Sequence, residues 1–136
     1  MPTCQLTRTI TILPVSDIAR ATAWYEHALG LETVYLHEGA DETEATNYAI
    51  LVRDGIAIHL ILDEPPPHRS EWTVAGRGNL YLMVRDVDAF FEEVTARGVT
   101  PGRGVELTNW GARAFELTDP DGNRILVEEE RKVSPG

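Results

Sequence analysis

The feature that most constrains this chain is that its two halves carry the same landmarks in the same order. Val15-Ser16-Asp17-Ile18 matches Val84-Arg85-Asp86-Val87 at a shift of 69, Gly30 matches Gly98 at 68, and Gly55 matches Gly122 at 67. A shift that drifts this slowly is what an internal duplication leaves after small insertions and deletions. In the first copy Thr9 to Val15 is β-branched and apolar, which predicts a strand. Pro14 confines that strand to a sheet edge or a strand end, since proline has no N–H to give a central ladder. Ser16 or Asp17 can cap the following helix. Residues 18–29 put Ile18, Ala21, Tyr25, Ala28 and Leu29 at helical spacing, and Gly30 supplies the left-handed stop. Asn47 to Val52 and Ile56 to Leu62 read as strands joined at Asp54-Gly55, with a further strand expected at Glu32 to His37.

The second copy repeats this grammar. Leu80 to Val84 is the strand, Asp86 the cap, and Val87, Phe90, Phe91 and Val94 the buried stripe of a helix ended by Gly98. Ala112 to Leu117 and Ile125 to Glu129 form a hairpin around Asp119-Pro120-Asp121-Gly122. The expected organisation is an arm at 1–8, modules at 9–62 and 79–130, an exposed linker at 63–78 with Pro65-Pro66-Pro67, and a tail at 131–136.

Charge narrows the partners. Twelve Lys and Arg face 22 Asp and Glu, a net −10, which would repel a phosphate backbone and attract a small cation. Residues 32–64 alone hold eight acids against Arg53, either a solvated surface or a steering field. Cys4 is the single cysteine, so no intrachain disulfide is possible and a reducing compartment fits. Without a signal segment or an apolar run near the ~18 residues that span a bilayer, a soluble cytoplasmic protein that engages no membrane and no nucleic acid is expected. Phosphate loops, serine elbows, HExxH pairs and Cys-x-x-Cys motifs are all missing from the sequence.

Paired modules of this size, with Val15-Ser16-Asp17-Ile18, Trp24-Tyr25, Leu29-Gly30-Leu31 and Asp119-Pro120-Asp121-Gly122-Asn123, resemble the vicinal oxygen chelate superfamily of glyoxalases, ring-cleavage dioxygenases and bleomycin-resistance proteins. The likeness runs over roughly residues 9–130. It implies an α+β fold in which two tandem βαβββ modules form a cup-shaped mixed sheet with helices on the outer face. Most enzymes of the group hold a divalent metal in that cup. The positions that match their ligands are Ile10, His59, Asn79 and Leu126, and one imidazole with an amide and two aliphatic chains is too poor a donor set. No cofactor is therefore expected.

The metal register also sorts the strands. If His59 faces the cup, so do Ala57 and Ile61, and Ile56, Ile58, Leu60 and Leu62 face the helices. On the same reasoning Ile10, Ile12, Asn79, Tyr81, Met83, Arg124, Leu126 and Glu128 line the cup. Such a lining suits an organic ligand held by shape, stacking and a few hydrogen bonds.

Trp110-Gly111-Ala112-Arg113-Ala114-Phe115 before Asp119-Pro120-Asp121-Gly122-Asn123 is most similar to the bleomycin-resistance branch. That resemblance implies an acidic, metal-free homodimer that sequesters a cationic aromatic antibiotic, with Trp110 stacking on the ligand. Trp110 is alternatively a loop anchor that packs its body and wets its N–H. Trp72, in the linker, either covers the cup or packs on its own subunit. Trp24 and Tyr25 read as core. His59, on a strand of Ile, Ala and Leu, is a satisfied structural histidine, a hydrogen-bonding ligand contact, or a base. His59 with Glu128 would make the acid–base pair of a metal-independent enzyme of the same fold, the alternative to sequestration; a lyase or dioxygenase would follow only if the metal register were misread.

Overall fold

The computed structural model describes residues 3–38, 46–63 and 74–131. Among these residues ten elements follow the duplicated order: β1 (Thr11–Val15), α1 (Ile18–Leu29), β2 (Glu32–His37), β3 (Tyr48–Arg53), β4 (Ile56–Leu62), β5 (Asn79–Val84), α2 (Val87–Ala96), β6 (Arg103–Leu107), β7 (Arg113–Thr118) and β8 (Arg124–Glu129). They make two four-stranded mixed sheets of identical topology, β1-β4-β3-β2 and β5-β8-β7-β6. In each, the first strand runs parallel to the last and the hairpins are antiparallel. Pro14 sits in β1, which pairs within its sheet only with β4, so its missing N–H leaves no gap in a central ladder.

The local signals work as the sequence implies. Asp17 accepts from the Arg20 N–H at 2.9 Å and Asp86 from the Ala89 N–H at 3.0 Å, capping the two helices. Gly30 ends α1 at φ 69°, and its N–H returns to Glu26. Asp54 and Gly55 both take positive φ, the requirement of a two-residue hairpin turn. The five helical positions of α1 singled out by spacing are all buried. With Leu13, Val15, Leu51, Ile58, Leu60, Ile125 and Val127 they build the core.

Several boundaries differ from the sequence reading by one or two residues. β1 begins at Thr11, so Ile10 lies just before it and is 41% exposed. β6 had no position in the sequence reading. Its residues Arg103, Gly104, Val105, Glu106 and Leu107 leave only Val105 partly covered, so no alternation betrays it, and it exists by pairing with β7.

The two modules are joined by the turn that the sequence motif marks. Tyr25 donates to Asp119 at 2.7 Å, Asn123 donates to the Pro14 carbonyl at 2.8 Å, and Ser16 donates to Asp121 at 2.5 Å. Asp119 also accepts from the backbone of Asp121 and Asn123. Burial, then the neighbouring Asp119 charge, pushes the Tyr25 hydroxyl far above the ordinary phenol range, so it stays a donor. A Cβ on Gly76 would meet the Asp121 carbonyl at 2.3 Å, and Gly76 has φ 83°; only glycine fits there. A second clasp joins Arg53 to Glu93 of α2 at 2.7 and 3.1 Å, with Arg53 also over the Phe90 ring and donating to the Leu29 carbonyl. Trp72 and Pro65 to Pro67 lie outside the described residues.

Candidate functional site

Each sheet has one face against its helix and one open face, and register assigns the side chains. In the first module the open rungs are Ile12, His59, Ile50 and Tyr35, beside Pro14, Ile61, Tyr48 and His37. In the second they are Asn79, Arg124 and Thr118; Tyr81, Leu126, Glu116 and Arg103; and Met83, Glu128, Ala114 and Glu106. The intervening residues, among them Ile58, Leu60, Leu80, Ile125 and Val127, are buried on the helix side.

On the first open face His59 is buried and its Nδ1 lies 2.6 Å from the Tyr48 hydroxyl, ring against ring edge-on. Burial, and then the nearby positive charge of Arg8, lowers the His59 pKa below the ordinary 6.5, so the imidazole is neutral at neutral pH. Burial also raises the Tyr48 hydroxyl. A neutral imidazole paired through one nitrogen leaves the other to accept or donate. Tyr48 was missed from the sequence, although the alternation of Tyr48, Ile50 and Val52 against Ala49 and Leu51 could have put it on this face.

The second open face is more exposed and more charged. Tyr81 and Met83 are about half exposed, at 51% and 46%. Arg124 pairs with Glu116 at 2.6 Å across the β7–β8 ladder, and Glu116 is the other residue that the sequence reading missed. Trp110, 53% exposed, reaches over from the β6–β7 turn and donates its indole N–H to Glu128 at 3.0 Å. Glu128 is only 4% exposed, and its second carboxylate oxygen has no hydrogen-bond partner among the described residues.

The structure thus brings Trp110 and Glu128 together, and groups Asn79, Tyr81, Met83, Arg124 and Leu126 on the same sheet. His59 and Glu128 stand on separate sheets. Among the described residues, the side-chain hydrogen bonds between modules run through the turns and helices, never across the open faces. The four metal positions hold Ile10 before β1, His59 engaged by Tyr48, exposed Asn79 and half-buried Leu126. Two of the four have no lone pair, so they do not fit a divalent ion. No three His, Cys, Asp or Glu side chains converge among the described residues. None of the described helices is long and apolar enough to cross a membrane.

A crevice of about 600 Å³ lies elsewhere, between the modules on the helix side. Its walls are core edges such as Leu29, Ile58, Leu82 and Phe90, and its rim is the Arg53–Glu93 pair. Of the ligand-site candidates drawn from the sequence that lie among the described residues, it touches Met83. Arg53 and Glu93 on its rim are held by the clasp and Asp86 by the α2 cap, whereas on the second open face the Glu128 carboxylate keeps one oxygen without a partner among the described residues.

The family model described as Glyoxalase/Bleomycin resistance protein/Dioxygenase superfamily matches residues 7–127. A bleomycin resistance protein from Geobacillus stearothermophilus is 25% identical over 137 residues, covering 92% of this chain and 98% of that one. The crystal structure of a member of the same superfamily from Sphaerobacter thermophilus superposes with a TM-score of 0.71 at 29% identity, over 93% of this chain and 98% of the other. A bleomycin-binding protein complexed with bleomycin gives 0.68 at 22% identity over 93% and 100%, a likeness of fold.

Proposed function

This chain belongs to the glyoxalase/bleomycin resistance protein/dioxygenase superfamily, and from that premise we propose that it is a metal-free small-molecule binding protein that sequesters a cationic aromatic ligand, as in antibiotic resistance. The observation that carries this reading is the open face of the second module. There a half-exposed indole, a half-exposed phenol and a methionine stand beside a buried carboxylate. Flat aromatic and soft thioether groups favour a planar ligand, and the carboxylate and the net −10 favour a positive one. The relatives that carry bleomycin in their names support the antibiotic class.

Sequestration further includes a homodimer. Val34 and Leu36 of β2 are about half exposed and Leu107 of β6 largely exposed, all apolar residues on edge strands, a surface that pairs readily with another sheet. A second copy would roof the open faces, and Asn79, Leu126 and Ile10 would then contribute to an enclosed site.

Isothermal titration of the purified chain with bleomycin tests this. The expected result is saturable binding with the drug recovered unchanged, weakened roughly 3- to 10-fold in Trp110→Ala by loss of stacking. Undiminished binding in that variant would refute the stacking role, and stoichiometric bound metal in the purified protein would refute the metal-free reading. Turnover is the second reading, favoured by the neutral His59 held by Tyr48; it requires product formation that His59→Ala abolishes.

A further inference from the structure

Buried carboxylate oxygens are rarely left without a donor, because desolvating one unpaired costs more than most single interactions return. Glu128 has such an oxygen. Its other oxygen takes the Trp110 indole N–H, and its rung carries Met83 on one side and Ala114 and Glu106 on the other. None of these neighbours donates a hydrogen bond to it among the described residues. Arg131, just after β8, donates to the Trp110 carbonyl instead. Arg113 is held by Asp88 and Arg124 by Glu116.

The loop that reaches Glu128 through Trp110 is tied at several points of its backbone and at one point of the Trp110 side chain. Thr108 and Ala112 exchange backbone and hydroxyl bonds at 2.7 and 3.0 Å, Gly111 returns to Thr108 at 3.0 Å, and Arg131 holds the Trp110 carbonyl. By contrast the indole, half in solvent, has the Glu128 contact as its one polar tether among the described residues. Rotation about the Trp110 side-chain bonds is therefore the motion that uncovers the carboxylate, with the turn left in place.

We propose that Glu128 is the residue that selects for charge at this face: the Trp110 indole swings from it onto the ligand's ring, and the uncovered carboxylate receives the ligand's cationic N–H. One rotation exchanges a hydrogen bond from a neutral donor for one in which donor and acceptor are both charged, and adds a stacking contact. Exposed Glu106 on the same rung adds to the negative field. The ligand class is a planar aromatic cation with an N–H donor beside the ring. This rests on the sequestration reading above.

The test compares 9-aminoacridine, a planar cation at neutral pH, with acridine, its neutral counterpart, by isothermal titration. Wild type is expected to prefer the cation. Glu128→Gln keeps an acceptor for the indole and so keeps the fold; it should lose roughly 10- to 100-fold affinity for the cation, the range for a bond to a charged group, while acridine changes little. Trp110→Phe should bind both less tightly but retain the preference. In nitrogen-correlated NMR spectra the Trp110 indole resonance should shift on cation binding. Equal weakening of both probes in Glu128→Gln, or a cation preference that survives it, would overturn selection by Glu128 while sequestration stands. If wild type binds neither probe and not bleomycin either, the sequestration reading fails and this proposal with it.

Discussion

The two modules share a scaffold and differ in what they show to the outside. At a shift of 67, the helix-facing residues Ile58 and Leu60 correspond to Ile125 and Val127, all buried. The open-face residues between and beside them, Ala57, His59 and Ile61, correspond to Arg124, Leu126 and Glu128. At a shift of 69, Leu13 and Val15 match Leu82 and Val84, whereas Ile12 and Pro14 match Tyr81 and Met83. Strand alternation explains how both are possible, since one face answers to packing against a helix and the other is free to change. The first module has made its open face a largely apolar wall that carries the buried His59–Tyr48 pair and, towards the β2 edge, the exposed His37–Tyr35 pair. The second has made it a half-exposed aromatic and acidic surface. Duplication supplied the frame, and divergence of one face supplied the candidate site.

Core changes should break the scaffold alike in both modules. Leu60→Ala and Ile125→Ala, each removing a side chain with no exposed surface, are expected to cost about 2–5 kcal/mol in denaturant unfolding. A cost below about 1 kcal/mol in either would mean that the helix side of that sheet is not the packed one.

Tyr25→Phe separates the clasp from the core. It keeps the ring and removes the donor to buried Asp119, with an expected loss of about 1–3 kcal/mol. A neutral result would deny the Asp119 turn its role in joining the modules.

Protonation sharpens the contrast between the faces, because His59 has no counterpart at Leu126. Its folded pKa is depressed below 6.5, so as pH falls through 6.5 the unfolded chain takes up the proton first and stability declines; above 6.5 this contribution is flat. The decline should be smaller in His59→Gln, measured by chemical unfolding between neutral and mildly acid pH. An identical pH profile in the variant would mean that His59 is not held neutral.

The smallest effect is expected at the exposed pair of the second open face. Arg124 is 66% exposed in its side chain, and Arg124→Ala should change stability by less than about 1 kcal/mol, with any larger effect appearing in ligand binding.

Most of the scaffold was legible because short-range rules dictate it. The caps Asp17 and Asp86, the stop at Gly30 and the turn at Asp54-Gly55 each act within a few residues, and the structure has them in those roles. The duplication then carried the register from one module to the other, and the alternation it implied for β4, β5 and β8 agrees with burial of Ile58, Leu60, Leu80, Ile125 and Val127. What escaped depends on partners distant in sequence. β6 has no pattern of its own. Tyr48 meets His59 and Glu116 meets Arg124 only because β3 and β7 lie beside the last strands. The Asp119 to Asn123 motif was readable as a turn and as a family mark, but its work as an intermodule clasp needs Tyr25 and Pro14, roughly a hundred residues earlier in the chain.

The most direct test of the central claim, that the open face of the second module is the ligand surface, is nitrogen-correlated NMR of the labelled chain titrated with bleomycin. The expected result is saturable shifts of the Trp110 indole and of backbone amides at Tyr81, Leu126 and Glu128, with the crevice residues Leu29, Ile56 and Phe90 unmoved. Shifts confined to that crevice, or none at saturating drug, would contradict it.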